Sequence, residues 1–183
     1  MRPAIHELVE DDFLPRDVPD FGLPLDDYGR ALDHLVQANV DVIVHSPAGE
    51  ILLGYRKDVP LRGRFWVFGR RMKPGEQLAG TAERVLEQEI ALQVDRDRLA
   101  LDNVYNVMWG SRTAPPEEAG FQTVITVMRY ECTDDDVEAV AAADRTHEWI
   151  RWYSPAELRE LEAAKSELLH PFLLVILRNA GLY

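Results

Sequence analysis

Val85, Gln88 and Glu89 are spaced i, i+3, i+4, so on a helix they share one face. Carboxylates at such positions hold hard divalent cations through oxygen. This face offers one carboxylate, Glu89, beside an amide and a Val. That set suits a single ion completed by oxygens from elsewhere, not several ions arranged for attack at phosphorus. Upstream, the window Arg56 to Lys73 holds seven basic residues and one acid, Asp58, where an even spread would place about two basic residues. A basic segment in an otherwise acidic chain is a candidate site for a small anion such as a nucleoside diphosphate, or else a solvated strand-loop-strand paired with acidic neighbours. His147 has the ordinary pKa for proton transfer near neutral pH; the other reading is a partly buried histidine at a strand start. Asp41 lies on the strand face opposite Val40, Val42 and Val44, as an exposed acid or a ligand contact.

From Gly69 to Leu92 the chain reads GRRMKPGEQLAGTAERVLEQEIAL. This resembles the Nudix box, G-x5-E-x7-R-E-U-x-E-E-x-G-U with U aliphatic. Glu76, Arg84, Leu86, Glu89 and Leu92 match the pattern. Arg70, Val85, Gln88 and Ala91 stand where it has Gly, Glu, Glu and Gly. The altered box is similar to that of the GDP-mannose mannosyl hydrolase subfamily, whose helix also keeps only the final Glu, in an Arg-x4-Glu arrangement like Arg84 to Glu89. The likeness runs from Asp41 to Leu92, through Leu52 to Arg56, Phe65 to Arg71 and Glu83-Arg84. It resumes from Asp144 to Trp152.

The resemblance implies an α/β protein, a Nudix-type α/β/α sandwich with a mixed β-sheet between helices in a single domain. It implies hydrolysis of a nucleotide sugar such as GDP-mannose by water attack at the anomeric carbon, releasing sugar and nucleoside diphosphate. One Mg²⁺, or Mn²⁺, would assist the leaving group. Position by position, the resemblance gives the metal the Gly69 carbonyl, Glu89 and Thr146, the last replacing the subfamily's Gln. Arg56 and Arg71 would bind the diphosphate, with Arg56 also catalytic as charge develops on the leaving group. His147 would be the general base and Asp41 would face the sugar. The subfamily's lid histidine has no counterpart; Gly110 falls near its place. Two other readings are a Nudix diphosphatase cleaving a phosphoanhydride, and a non-catalytic Nudix domain that binds a nucleotide. Related enzymes are dimers with swapped N-terminal segments, which assigns residues 1–38 to an arm serving a homodimer and 39–183 to the Nudix-like domain.

The elements that must position these residues follow from periodicity. Val40 to His45 and Glu50 to Arg56 read as a hairpin around Ser46-Pro47-Ala48-Gly49. Phe65 to Phe68 reads as a short buried strand, and Leu99 to Met108 and Phe121 to Cys132 as long ones. The spacing of Leu78, Ala82, Val85, Leu86 and Ile90 predicts a helix over 77–90. Within it Arg84 is expected to pair with Glu76 or Glu87, holding the preceding loop against the helix. Gly110 to Gly120 is a long polar loop of the kind that forms lids or binding loops. A strand from Glu148 to Tyr153 leads into Ser154-Pro155-Ala156-Glu157, a helix start with N-cap Ser, Pro at N1 and Glu at N3. Helix is expected over 156–179 with a break near Pro171, and a short helix over 27–37.

Composition bounds the partners. The chain has 183 residues, 46% hydrophobic and 28% charged, with 32 acidic against 20 basic residues and a net charge of −12. That charge argues against nucleic acid or an anionic membrane as partner. The longest apolar run, Phe172 to Leu177, is far short of the ~20 residues that cross a bilayer. The N-terminal stretch has no apolar core like that of a signal peptide. Cys132 is the only cysteine, so no intrachain disulfide forms and a cytoplasmic location is expected.

Overall fold

The alternation of Val40, Val42 and Val44 builds the strand on which the other elements hang. The structure, a computed structural model, describes residues 6–9, 23–142 and 146–183. Strand β1 (Gln37–His45) is flanked on one edge along its whole length by β6 (Phe121–Glu131), in parallel. β5 (Leu99–Trp109) pairs antiparallel on the outer edge of β6. The other edge of β1 is shared. β2 (Ile51–Arg56) pairs with its His45 end, and β4 (Phe68–Arg71) with its Asn39 end. Beyond Leu52, β2 leaves β1 and runs between β3 (Phe65–Trp66) and β7 (His147–Tyr153). The sheet therefore forks.

The fork corrects the expectation of one strand over 65–68. Residues two apart share a face of a continuous strand. Trp66 and Phe68, however, pack into opposite cores, so the chain must turn over at Val67 as it passes from β2 to β1.

Each face of the sheet carries a helical layer. Helix α2 (Leu78–Ile90) buries Ala82, Val85, Leu86 and Ile90 against Val40, Val42, Val44 and Phe68. On the opposite face, α4 (Pro155–Ala163) and α5 (Pro171–Asn179) bring Leu158, Leu173, Ile176 and Leu177 onto Ile43, Leu53 and Phe65. This is the expected α/β/α sandwich with a mixed seven-stranded sheet. No helix among the described residues is long and apolar enough to cross a membrane.

Local signals set the helix ends. Ser154 accepts from the Glu157 N–H while Glu157 accepts from the Ser154 N–H, the reciprocal cap that the sequence announces. Helix α4 stops earlier than expected because the chain is needed elsewhere. Lys165 turns into the left-handed region at φ 52, and the Phe65 N–H then donates to the Leu168 carbonyl at 2.8 Å. The acidic run Asp134-Asp135-Asp136 opens a short helix, α3 (Asp134–Ala139), capped reciprocally by Thr133 and Asp136. Helix α1 (Leu25–His34) begins at Pro24 and ends before the expected Gln37, because Gln37 already pairs in β1. Of the arm expected over 1–38, residues 1–5 and 10–22 lie outside the described residues.

Helix α2 ends at Ala91, whose φ of 56 and ψ of 25 place it in the left-handed region, where a Cβ is penalised. Glycine belongs there, as the motif has it. Ala91→Gly is expected to stabilise the protein by about 1 kcal/mol, read as a higher urea midpoint with an unchanged m-value.

Candidate active site

The arms of the fork enclose a cleft of two adjoining chambers. Asp41 and Gly69 come from one arm, Arg56 and Trp66 from the other. The outer chamber, about 350 Å³, is lined among the described residues by Arg56, Arg70, Arg71, Lys73 and Arg84 and by the acids Asp58 and Glu89. The inner chamber, about 190 Å³, has Asp41 in its wall with Trp66, Trp109, Phe121 and Leu61 around it. Arg56, Gly69 and Thr113 line both. A cationic outer site opening onto an aromatic one with a single carboxylate suits an anion joined to a polar ring.

Glu76 fixes the loop that carries the basic residues. It accepts from Arg84 Nε at 2.6 Å, from Arg84 Nη2 at 2.8 Å, from the Lys73 N–H at 2.8 Å and from Thr81 Oγ1 at 2.9 Å. Arg84 also donates to the Arg71 carbonyl at 3.0 Å. Burial by itself raises the Glu76 pKa, but these donors outweigh it and hold the carboxyl below its ordinary value. Arg84 thus pairs with Glu76, as the spacing allowed. Arg71 stands over the Tyr28 ring of α1 at 5.2 Å, a cation–π contact that orients its guanidinium at the cleft wall.

Glu89 is 1% exposed, and both of its oxygens are engaged. Oε1 accepts from Arg70 Nε at 3.0 Å and Oε2 from the Gly69 N–H at 3.3 Å. Arg70 is the residue standing at the motif's glycine. A resident divalent ion on this face would need Glu89, the Gly69 carbonyl and Thr146, and the single carboxylate already has a cationic partner. Among the described residues no three His, Cys, Asp or Glu side chains converge as a metal site would require. Among the described residues this donor set does not fit a resident Mg²⁺.

Asp41 proves buried, at 4% exposure, and not a solvated acid. Its Oδ2 accepts from Trp66 Nε1 at 2.8 Å. Burial pushes its pKa up to about 6, against the opposing pull of the Trp66 hydrogen bond and the Arg56 charge. A Cβ on residue 69 would lie 2.0 Å from Asp41 Oδ1, so Gly69 is bare because the carboxylate needs the space. Arg56 Nε is buried with no acceptor among the described residues, a donor aimed where an anion would satisfy it.

His147 pairs in register with Arg56 across a β-bulge. Its ring is 2% exposed, edge-on to Phe68 at 5.2 Å, and a Cβ on Gly54 would lie 2.2 Å from it. The outer chamber is walled by the neighbouring Thr146. The fork brings Asp41, Arg56, Gly69, Arg71, Glu89 and Thr146 to one cleft, and packs His147 behind its wall.

Sequence reasoning missed Arg112. This side chain, 1% exposed, donates to the carbonyls of Ala114 at 3.1 Å, Pro115 at 3.1 Å and Gly120 at 3.3 Å, and to Asp33 of α1 at 2.6 Å. The loop at 110–120 is therefore clasped to α1 and, with Tyr28, Leu32 and Thr113, closes the far side of the inner chamber. Asp33 and Arg112 are 79 residues apart, and nothing local announces their pairing.

The NUDIX domain family matches residues 35–172. The chain belongs to the Nudix family. Solved Nudix structures share its fold. The Ap4A hydrolase of C. elegans aligns at TM-score 0.56 and 17% identity, over 80% of this chain and 96% of that one. The NUDIX domain of Shewanella oneidensis NrtR, complexed with ADP ribose, aligns at 0.52 and 14%, over 77% and 98%. A bifunctional NMN adenylyltransferase/ADP ribose pyrophosphatase from Francisella tularensis, complexed with AMP and a Mn ion, aligns at 0.60 and 17%, over 86% of this chain and 46% of that one. The chain spans less than half the length of that enzyme and of a MutT/nudix protein from Enterococcus faecalis. No curated protein sequence matches. Nudix hydrolases act on nucleoside diphosphate derivatives and generally use a divalent metal.

Replacing Arg112 with Met removes four donor contacts while keeping much of the volume. It is expected to cost about 3 kcal/mol, because buried carbonyls lose their partners, measured by urea unfolding. The raised pKa of Asp41 has a definite sign. Between pH 3.8 and about 6 the folded protein keeps a proton that the unfolded chain has released, so stability falls as pH rises through that window. Asp41→Asn, whose amide oxygen still accepts from Trp66, is expected to match the wild type at pH 4 and exceed it by about 3 kcal/mol at pH 7.5. Parallel stability–pH curves for the two proteins would contradict this assignment.

Proposed function

We propose that this Nudix domain hydrolyses a nucleotide sugar at the glycosyl carbon–oxygen bond, releasing free sugar and nucleoside diphosphate. The observation that carries the reading is a buried carboxylate set among aromatic rings beside a basic wall. Arg56 lines both chambers and Arg71 the outer one, while Asp41, whose pKa burial pushes up to about 6, sits in the inner chamber with Trp66 and Trp109. The diphosphate would lie among Arg56 and Arg71, with the sugar against Trp66 and Trp109 and its anomeric carbon towards Asp41.

In that pose Asp41 takes a proton from water as the water oxygen bonds to the anomeric carbon. The bond from that carbon to the diphosphate oxygen breaks, and its electron pair leaves with the diphosphate. Arg56 and Arg71 neutralise the charge arriving there. A carboxyl titrating near 6 is ionised at neutral pH and still basic enough to assist. The resemblance gives the base role to His147, but that ring is enclosed by Gly54 and Phe68, whereas Asp41 lines the chamber. We therefore assign His147 to positioning Arg56, its cross-strand partner. GDP-mannose is the first substrate to try, on the resemblance of the altered box.

Cleavage of a phosphoanhydride is the second reading. It is favoured by structural neighbours named for ADP-ribose and Ap4A hydrolysis. A helix face carrying one engaged carboxylate counts against it.

Hydrolysis in ¹⁸O-labelled water separates the two. With GDP-mannose and GDP-glucose, label in the released sugar is expected, whereas ADP-ribose and Ap4A, which have no anomeric carbon–phosphate bond, are expected to remain intact. Label in a phosphate would move the chemistry to phosphorus. Asp41→Asn is expected to lower kcat by ~10²–10⁴, the general-base range, and His147→Gln by much less. The reverse order would return the base role to His147.

A further inference from the structure

Strand β1 has neighbours on both edges and a helical layer on each face, which calls for apolar residues on both of its faces. One face obeys, with Val40, Val42 and Val44 under α2. The other begins as expected with Ile43 in the core under α4 and α5. Two, four and six residues earlier on that same face stand Asp41, Asn39 and Gln37, and all three line the inner chamber. The protein itself answers two of them. Gln37 Nε2 donates to the Tyr28 hydroxyl at 2.7 Å, and Asp41 Oδ2 accepts from Trp66 Nε1 at 2.8 Å. Asn39 lies between them with its Oδ1 sealed from solvent and without a donor among the described residues. Its neighbour on β6, the buried Ile125, has no polar side-chain atom to offer. An amide oxygen held in this way destabilises the fold, and an apolar residue at 39 would pack on Ile125 without that cost.

A donor in the same condition stands opposite. Arg56 Nε, from the other arm of the fork, is buried and has no acceptor among the described residues. Asn39 and Arg56 each line both the inner and the outer chamber, so the two stand where the chambers join. A ligand that satisfies both carries a hydrogen-bond donor next to an acceptor at that neck. We propose that Asn39 is the specificity-determining residue of this cleft: its Oδ1 accepts the sugar hydroxyl on the carbon next to the anomeric carbon, while Arg56 Nε donates to the adjoining diphosphate. That the ring is a sugar rests on the function proposed above. The unpaired amide oxygen in the chamber wall does not.

Placement selects this hydroxyl from the others. The anomeric carbon joins the ring to the diphosphate and so lies at the neck, and one hydroxyl-bearing carbon is bonded to it. The hydroxyls further round the ring fall deeper, towards Trp66 and Trp109. At about 190 Å³ the inner chamber is smaller than ordinary ligand pockets of roughly 300–1,000 Å³, so it takes one ring and the nucleoside stays outside. The contact also strengthens during reaction. As the bond to the diphosphate breaks, positive charge builds on the anomeric carbon and makes the neighbouring hydroxyl a better donor. An interaction stronger in the transition state than in the ground state raises kcat as well as affinity. A neutral amide supplies it beside Asp41 without burying a second charge.

GDP-mannose, GDP-glucose and GDP-2-deoxyglucose test the assignment, because their sugars differ only at that carbon: an axial hydroxyl, an equatorial hydroxyl and none. Each is mixed rapidly with wild type and with Asn39→Leu, and Kd is read from tryptophan fluorescence before turnover. Wild type is expected to bind one of the two hydroxyl-bearing sugars at least about tenfold more tightly than the 2-deoxy sugar, and Asn39→Leu to lose that preference. Asn39→Ala carries the same comparison should the leucine variant not fold. Equal affinity of wild type for all three, no binding of any of them, or a preference that survives in the variant overturns the proposal. Equal weakening of all three by the substitution also overturns it, since a purely structural role would act on every sugar alike. The same cycle in kcat/KM tests the reaction separately, because the intrinsic reactivity of the 2-deoxy sugar cancels between wild type and variant. Carbon–oxygen cleavage makes the hydroxyl preference larger in kcat/KM than in Kd. A preference seen in Kd and no larger in kcat/KM, with ¹⁸O entering phosphate, removes carbon–oxygen cleavage and leaves Asn39 as the residue that selects the sugar.

Discussion

The hydrogen bond from Trp66 Nε1 to Asp41 Oδ2 spans the fork in the sheet, and the site depends on it. It joins β3, held by β2, to β1, held by β4 and β6. A buried carboxylate between diverging strands would ordinarily be expelled towards water or paired with a cation. Here an indole N–H and the bare Cα of Gly69 make room for it. The same bond orients Trp66 into the core on the α4–α5 side and leaves Asp41 in the chamber wall. The desolvation that lifts the Asp41 pKa therefore comes from the element that gives the chamber its aromatic surface.

How much of this the sequence disclosed follows from the range of each interaction. The hairpin, the α2 stripe and the Ser154 cap are written in residues within a few positions of each other, and they appear as expected. The pairing of Glu76 with Arg84 spans 8 residues and was one of two alternatives. The turnover at Val67 could not be read, because apolar Phe65, Trp66, Val67 and Phe68 look like one buried strand until β1 and β2 are known to diverge. Asp41 had the same fault in reverse. Alternation places it opposite three buried valines, and only the second core shows that this opposite face is buried too. The Arg112 clasp joins α1 to a loop near residue 115, with no motif at either end.

The electrostatics of the whole chain and of the cleft have opposite signs, and the fold accounts for the difference. Net charge is −12, yet the window rich in arginine and lysine is laid by β2, β4 and their loops along one wall. Much of the acid elsewhere is used locally: Glu83 pairs with Arg96, Asp102 with Arg129, Asp136 with Arg98 and Glu162 with Arg178. The exposed pair Arg178–Glu162 contributes little stability, whereas Arg129–Asp102 is largely buried. The consequence of such pairs is local charge balance over much of the surface, while the cleft wall gathers basic side chains in a globally acidic protein.

The altered motif reads as a coherent exchange once its positions are seen in three dimensions. A carboxylate at 85 would point into the layer where Val40, Val42 and Phe68 pack, tolerable with a cation close by and costly without one. Glu89 is buried just as deeply and persists because Arg70 and the Gly69 N–H satisfy it. Removing the arginine would take a charge-assisted hydrogen bond from a buried carboxylate. Ala91 stands apart from this exchange: it keeps the left-handed turn that glycine would make more cheaply and touches neither chamber, so nothing in the cleft explains it.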